Sequence, residues 1–193
     1  GTRSVKRKSP VFLLAVLTLA LIWDASGFLK LSILCAVLHE AGHFVAFWLL
    51  TGRPPRILCS LTGLQIEMDG IPLCRGRENL LLAAGPAANL LCALAGWIQV
   101  SCRASYLGYF FLCENLCMAL FNLLPIRFLD GGRLAANLIG PLHPRLLGAL
   151  SALGCLVISL LGGAALLLWG AGPLFLAVFF AMTAALCMKA FQT

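Results

Sequence analysis

The sequence predicts an all-α polytopic membrane protein of about six transmembrane helices, interrupted by a short β-like stretch between the second and third. Three observations predict it. Of 193 residues, 61% are hydrophobic and only 11% charged, against roughly 25% charged in an ordinary soluble domain. Most residues of a small domain touch water, so a soluble fold of this size could not hide so much apolar surface. Six stretches reach the roughly 20 apolar residues that a bilayer core demands, namely 10–27, 28–50, 80–102, 105–124, 146–169 and 172–190. The third observation is the placement of the basic residues, taken up below.

The first span is the weakest, because Asp24 and Gly27 shorten its apolar run. Residues 11–23 behind the basic RSVKRK also read as a signal peptide. No A-x-A-like cleavage site follows, so the span is expected to be retained. Residues 53–79, after the second span, are too short and too mixed to cross a membrane. Within it, ILCSLTGLQIEMDGIPL alternates in places, with Gly63 and Asp69-Gly70 as turn signals. The remaining four stretches complete the set. No repeat, linker or low-complexity segment divides the chain, which predicts a single domain over 1–193 with no fused soluble domain. The nine cysteines include no C-x-x-C pair, and suit small polarizable core residues better than a disulfide framework.

With six spans and a cytoplasmic N-terminus, the inner segments hold Arg3, Lys6, Arg7, Lys8, Arg53, Arg56, Arg75, Arg77, Arg127, Arg133, Arg145 and Lys189. The outside keeps only Lys30 and Arg103, so 12 of the 14 basic residues lie inside, a strong positive-inside bias. The net charge of +7 therefore sets orientation and favours anionic lipid. Nucleic acid is not an expected partner.

Polar groups at membrane depth are costly, which makes them functional candidates. The second span contains His39, Glu40 and His43 in LCAVLHEAGHFVAFWLL. Residues i and i+4 share a helical face, so both imidazoles can point at one metal. Glu40 stands beside that face, where its carboxylate can take a proton from water activated by the metal. The bland alternative is a buried polar network. With three His and four Glu in the chain, an H-E-x-x-H pattern arises by chance about once in a thousand such sequences.

A catalytic zinc keeps three protein ligands and one open position. Candidates for the third are Asp24, Glu67, Asp69, Glu78, Glu114 and Asp130. Asp24 falls near the outer surface, Glu67, Asp69 and Glu78 in the loop after span two, and Glu114 toward the outer half of span four. Asp130, in NLLPIRFLDGGR, follows the return of span four to the inner side, at a depth where it can meet His39. Pro125 interrupts the helix, and Gly131 and Gly132 allow an unusual backbone path. An ordinary turn with a solvated Asp130 is the alternative.

With these motifs, the chain resembles the site-2 protease family of intramembrane metalloproteases. The resemblance rests on HEAGH in span two, GPAAN at 85–89, and N-x-x-P-x-x-x-x-D-G from Asn122 to Gly131, in that order over residues 38–133. The compact build is most similar to the sporulation branch, the stage IV sporulation protein FB-like proteases. The resemblance implies one Zn2+ per chain on His39, His43 and Asp130, Glu40 as catalytic base, and Asn122 holding the substrate or the developing oxyanion. It implies a membrane-associated β-hairpin within 53–79 that adds a strand to an unwound substrate. It also implies a membrane-tethered protein substrate, a pro-sigma or anti-sigma factor among the options, separate membrane regulatory proteins, and residence in the bacterial cytoplasmic membrane with both termini inside. Two departures from that branch stand out: no fused nucleotide-sensing domain is expected after the last span, and Arg127 and Phe128 stand between the proline and the aspartate.

Other readings stay open. A prenyl-peptide type of protease would need a later Glu as ligand, and only Glu114 is available. A metal transporter would string ligands along a pore. An inactive scaffold would have no use for Glu40. Gly85 and Asn89 share a helix face that suits close packing with a hydrogen bond across it. Glu114 and Asn115 suit local pairing, and His143 a surface position.

Overall fold

The computed structural model describes residues 21–60, 63–67, 73–127, 129–139, 145–154 and 157. These residues are mostly helical. In chain order they form α1 (Phe28–Thr51), strands β1 (Arg56–Ser60) and β2 (Gly63–Glu67), α2 (Arg75–Cys102), α3 (Tyr106–Asn122), α4 (Asp130–Leu138) and the short apolar helix α5 (Arg145–Gly154). The expected spans at 10–27, 146–169 and 172–190 fall largely or wholly outside the described residues, as do Asp69 and His143.

Local chemistry sets the ends of α1. Asp24 accepts the backbone N–H groups of Gly27 (3.0 Å) and Lys30 (3.1 Å) and the hydroxyl of Ser26 (2.6 Å), satisfying donors that a helix start leaves without partners. At the other end Gly52 adopts φ 69° and returns its N–H to the Trp48 carbonyl, the left-handed stop for which glycine is suited. The 24 residues between extend about 36 Å at 1.5 Å per residue, enough to cross a bilayer core.

The helix α2 begins at Arg75, a full turn before the apolar stretch expected from residue 80. Arg75, Arg77 and Glu78 carry it past its apolar part, which a hydropathy window does not register. Ser105 caps α3, its hydroxyl accepting the Gly108 N–H at 3.1 Å. α3 stops at Asn122 because Leu124 precedes Pro125, and a residue before proline is driven out of helical conformation.

Both α1 and α2 are long and apolar enough to cross a membrane, yet only 17% and 39% of their apolar windows are buried inside the protein. That disposition does not fit core helices of a soluble fold. Large apolar side chains such as Leu49 (78% exposed), Leu91 (68%) and Trp97 (58%) face outward, while His39, Asn89 and Asn115 are buried. A polar interior with an apolar exterior is stable where the surroundings are lipid.

In this arrangement α2 is central, packed against α1, α3 and α4. Approach to α1 is close: a Cβ on Gly42 would stand 2.6 Å from the Ala84 carbonyl oxygen and 2.8 Å from the Ala88 methyl. The small residues let the two backbones nearly touch. Between α1 and α2, β1 and β2 pair antiparallel from Arg56 opposite Glu67 to Ser60 opposite Gly63.

The segment after α3 differs from expectation. Gly131 and Gly132 do not take an unusual backbone path; both are buried within the first turn of α4, and neither has positive φ. Their missing side chains serve another end. A Cβ on Gly131 would collide with the backbone of Leu123, and one on Gly132 with that of Ile126. The glycines let α4 fold back onto the turn that leads into it. Ile126 and Leu129 form a small buried cluster there, and the Ser151 hydroxyl on α5 accepts the Arg127 N–H at 3.1 Å.

Candidate metal centre

The H-E-x-x-H residues lie in the middle of α1, and their shared face meets α2. Asp130 opens α4, where a carboxylate also complements the helix N-terminus. Its Oδ2 lies 3.1 Å from the Nε2 of His39 and 3.1 Å from the Nε2 of His43, and the two Nε2 atoms are 3.3 Å apart. His39, His43 and Asp130 form a group whose ligand atoms all lie within 4.8 Å of one another. Their side chains are 8%, 13% and 16% exposed, so the site is nearly dry but not sealed.

The outer nitrogens decide what the inner ones can do. His39 Nδ1 is 2.6 Å from Asn89 Oδ1, and His43 Nδ1 is 2.8 Å from the Leu81 carbonyl oxygen. Both partners are acceptors, so each Nδ1 carries a proton and donates it. In neutral imidazoles the Nε2 atoms are then bare lone pairs. Two such lone pairs and a carboxylate oxygen, crowded within hydrogen-bond distance, repel one another unless a cation stands among them. A proton on one Nε2 would satisfy one contact to the carboxylate and leave the other Nε2 bare, and protons on both would set two imidazolium rings 3.3 Å apart. The residues present therefore fit a divalent metal held by two imidazoles and one carboxylate, with second partners orienting both rings.

Asn89 is wholly buried. Its Nδ2 donates to Asn115 Oδ1 (2.8 Å), to the Cys35 carbonyl (3.4 Å) and to Met118 Sδ (3.5 Å). Asn115, also wholly buried, donates from Nδ2 to the Phe111 carbonyl (2.8 Å) and to Cys35 Sγ (3.1 Å). Gly85 lies on the same α2 stripe as Leu81 and Asn89. A Cβ there would run into His43 Nε2 and stand 2.7 Å from His39 Nε2.

Glu40 is half-buried, lies within electrostatic reach of His43, and carries no hydrogen bond to another described residue. Asn122 ends α3 and donates to the Met118 carbonyl at 3.1 Å; no bond joins it to the histidines or to Asp130. Among the described residues, neither Glu78 nor Glu114 joins the ligand group. Sequence reasoning missed the Leu81 carbonyl, which no residue type signals. It noted Asn89 and Asn115 without joining them. The described cysteines Cys35, Cys74, Cys92, Cys102, Cys113 and Cys117 are free.

No protein-family model matches the chain, and no curated protein matches it. Among solved structures it is similar to a site-2 protease from Methanocaldococcus jannaschii, with a TM-score of 0.56 and 22% identity, over 93% of this chain and 85% of that one. At that identity the likeness is one of fold.

Proposed function

We propose that this chain is a zinc-dependent intramembrane endopeptidase of the site-2 protease type, holding one Zn2+ on His39 Nε2, His43 Nε2 and Asp130 Oδ2. The observation that carries the reading is the convergence of these three atoms, with Glu40 on the same helix beside them, among helices whose exterior is apolar. A zinc ion bound there supplies Lewis acidity, polarising a carbonyl and lowering the pKa of water to about 7. Glu40 accepts the proton of the attacking water and returns it to the leaving nitrogen. Asn122, given back from the Met118 carbonyl, donates to the developing oxyanion. The fold match to a site-2 protease supports the same reading.

The substrate is a membrane-tethered protein cut near the cytoplasmic face, with a pro-sigma or anti-sigma factor as the candidate class from the sporulation-branch resemblance. Separate membrane proteins would regulate it in the bacterial cytoplasmic membrane. The hairpin of β1 and β2 supports substrate capture by strand addition, since a protease needs extended backbone. A proline at Gln65, opposite Leu58 in the hairpin, should then reduce cleavage without loss of zinc.

The test is cleavage of a membrane-tethered substrate by purified protein, with and without chelator, beside Glu40→Gln. Chelator should abolish cleavage. Glu40→Gln should retain zinc and lose about 100-fold or more of the rate. A folded preparation that binds no zinc would overturn the reading, as would undiminished cleavage by the Gln variant.

A further inference from the structure

Asn89 can face His39 in two ways, and only one of them permits metal binding. With Oδ1 toward the ring, as found, it accepts from Nδ1–H and leaves Nε2 bare. With the amide turned over, NH2 would face Nδ1, the ring proton would move to Nε2, and the lone pair that binds metal would be lost. Asparagine has no intrinsic preference between the two, so its other neighbours must choose.

Those neighbours form a chain with fixed polarity. Asn89 Nδ2 points at Asn115 Oδ1 and the Cys35 carbonyl. Turning Asn89 alone would set its oxygen against both acceptors. Turning Asn115 as well would set its own oxygen against the Phe111 carbonyl, which its Nδ2 meets at 2.8 Å. Phe111 and Cys35 offer backbone carbonyls, which cannot exchange donor for acceptor. The direction of the chain into His39 is therefore set by two fixed carbonyls, that of Phe111 acting through Asn115 and that of Cys35 acting on Asn89 directly. Both amides are wholly buried, so water does not compete.

We propose that Asn115 is a positioning residue of the metal centre. From α3, without touching a ligand, it locks the amide of Asn89 and so holds His39 in the Nδ1–H tautomer that binds zinc. This rests on the metalloprotease reading and adds to it a third helix that controls the metal's ligand. The shorter contact to Asn115, 2.8 Å against 3.4 Å for the Cys35 carbonyl, makes Asn115 the stronger lock.

The test is a double-mutant cycle on the full chain, read as zinc affinity by chelator competition and as the visible spectrum of the cobalt(II)-loaded protein. Asn115→Leu should weaken zinc about 10-fold or more, as loss of outer partners of metal-binding histidines does. An Asn89→Asp background presents only acceptors to His39 and has no amide to turn. There, Asn115→Leu takes away an acceptor that faces the carboxylate and should not weaken zinc. Asn115→Ala removes the same acceptor with less bulk and serves if the leucine variant does not fold. An Asn115→Leu protein that binds zinc like the wild type would overturn the proposal, as would an equal loss in both backgrounds, which marks a packing role. Both results leave the protease reading standing. A folded wild type that binds no zinc removes that reading and this inference together.

Discussion

Gly85 stands so close to His39 that a methyl group on it would lie 2.7 Å from the Nε2 atom. The same methyl would run into His43 Nε2, so α2 has no side chain where it passes the ligand atoms. The helix cannot back away cheaply, because Ala84 and Ala88 already touch α1 at Gly42 and the stripe also carries the partners of both rings. Gly85→Ala should therefore weaken zinc about 100-fold or more, beyond what the loss of one outer partner costs. Helical circular dichroism in detergent should change little. Zinc bound at wild-type affinity would mean that the space over Gly85 is not the metal's.

Asp130 is the only carboxylate in the group of His39, His43 and Asp130. Asp130→Asn keeps the shape and a carbonyl oxygen but loses the charge that balances a divalent ion. Zinc retained on purification should fall well below one per chain, measured by elemental analysis of protein eluted at the wild-type position. Unchanged zinc would remove Asp130 as a ligand and leave the two histidines needing another partner.

The parts of this site that could be read in the sequence were those carried by residue type at short spacing. His39 and His43 declare a shared face at i and i+4, and Glu40 declares itself by sitting at membrane depth. Asp130 was reached because the acids are few and it follows a helix break. Leu81 could not be reached at all, since its contribution is a backbone carbonyl that every residue has. The link from Asn89 to Asn115 needed the packing of α2 against α3, which hydropathy does not encode. The glycines at 131 and 132 signalled an unusual backbone, yet their use is clearance for the Leu123 and Ile126 carbonyls in an ordinary helical turn. In each case local pattern told which residues were unusual, and tertiary packing decided what they were for.

Ser151 fastens the turn that carries Asp130. Its buried hydroxyl accepts the Arg127 N–H at 3.1 Å, between Pro125 and the start of α4. Ser151→Ala should cost about 1 kcal/mol, lowering the thermal midpoint by about 2–4 °C for a chain of this size. Zinc affinity should fall with it, because the turn sets where α4 begins. A lowered midpoint with unaltered affinity would show that α4 is held from its other side, where Asn137 donates to Asn79 at 3.1 Å.

Asn122 offers the sharpest separation between holding metal and using it. Its side chain rests on the Met118 carbonyl and makes no bond to the histidines, Asp130 or Asn89. Asn122→Ala should leave zinc affinity where it is. If the amide donates to the oxyanion during hydrolysis, the rate should fall about 100–1,000-fold, the cost of deleting one such donor. The loss should appear in kcat more than in KM, because the donor acts on charge that exists only at the transition state. A variant that cleaves at the full rate would remove Asn122 from the chemistry. One that instead loses zinc would place it among the groups that build the metal site.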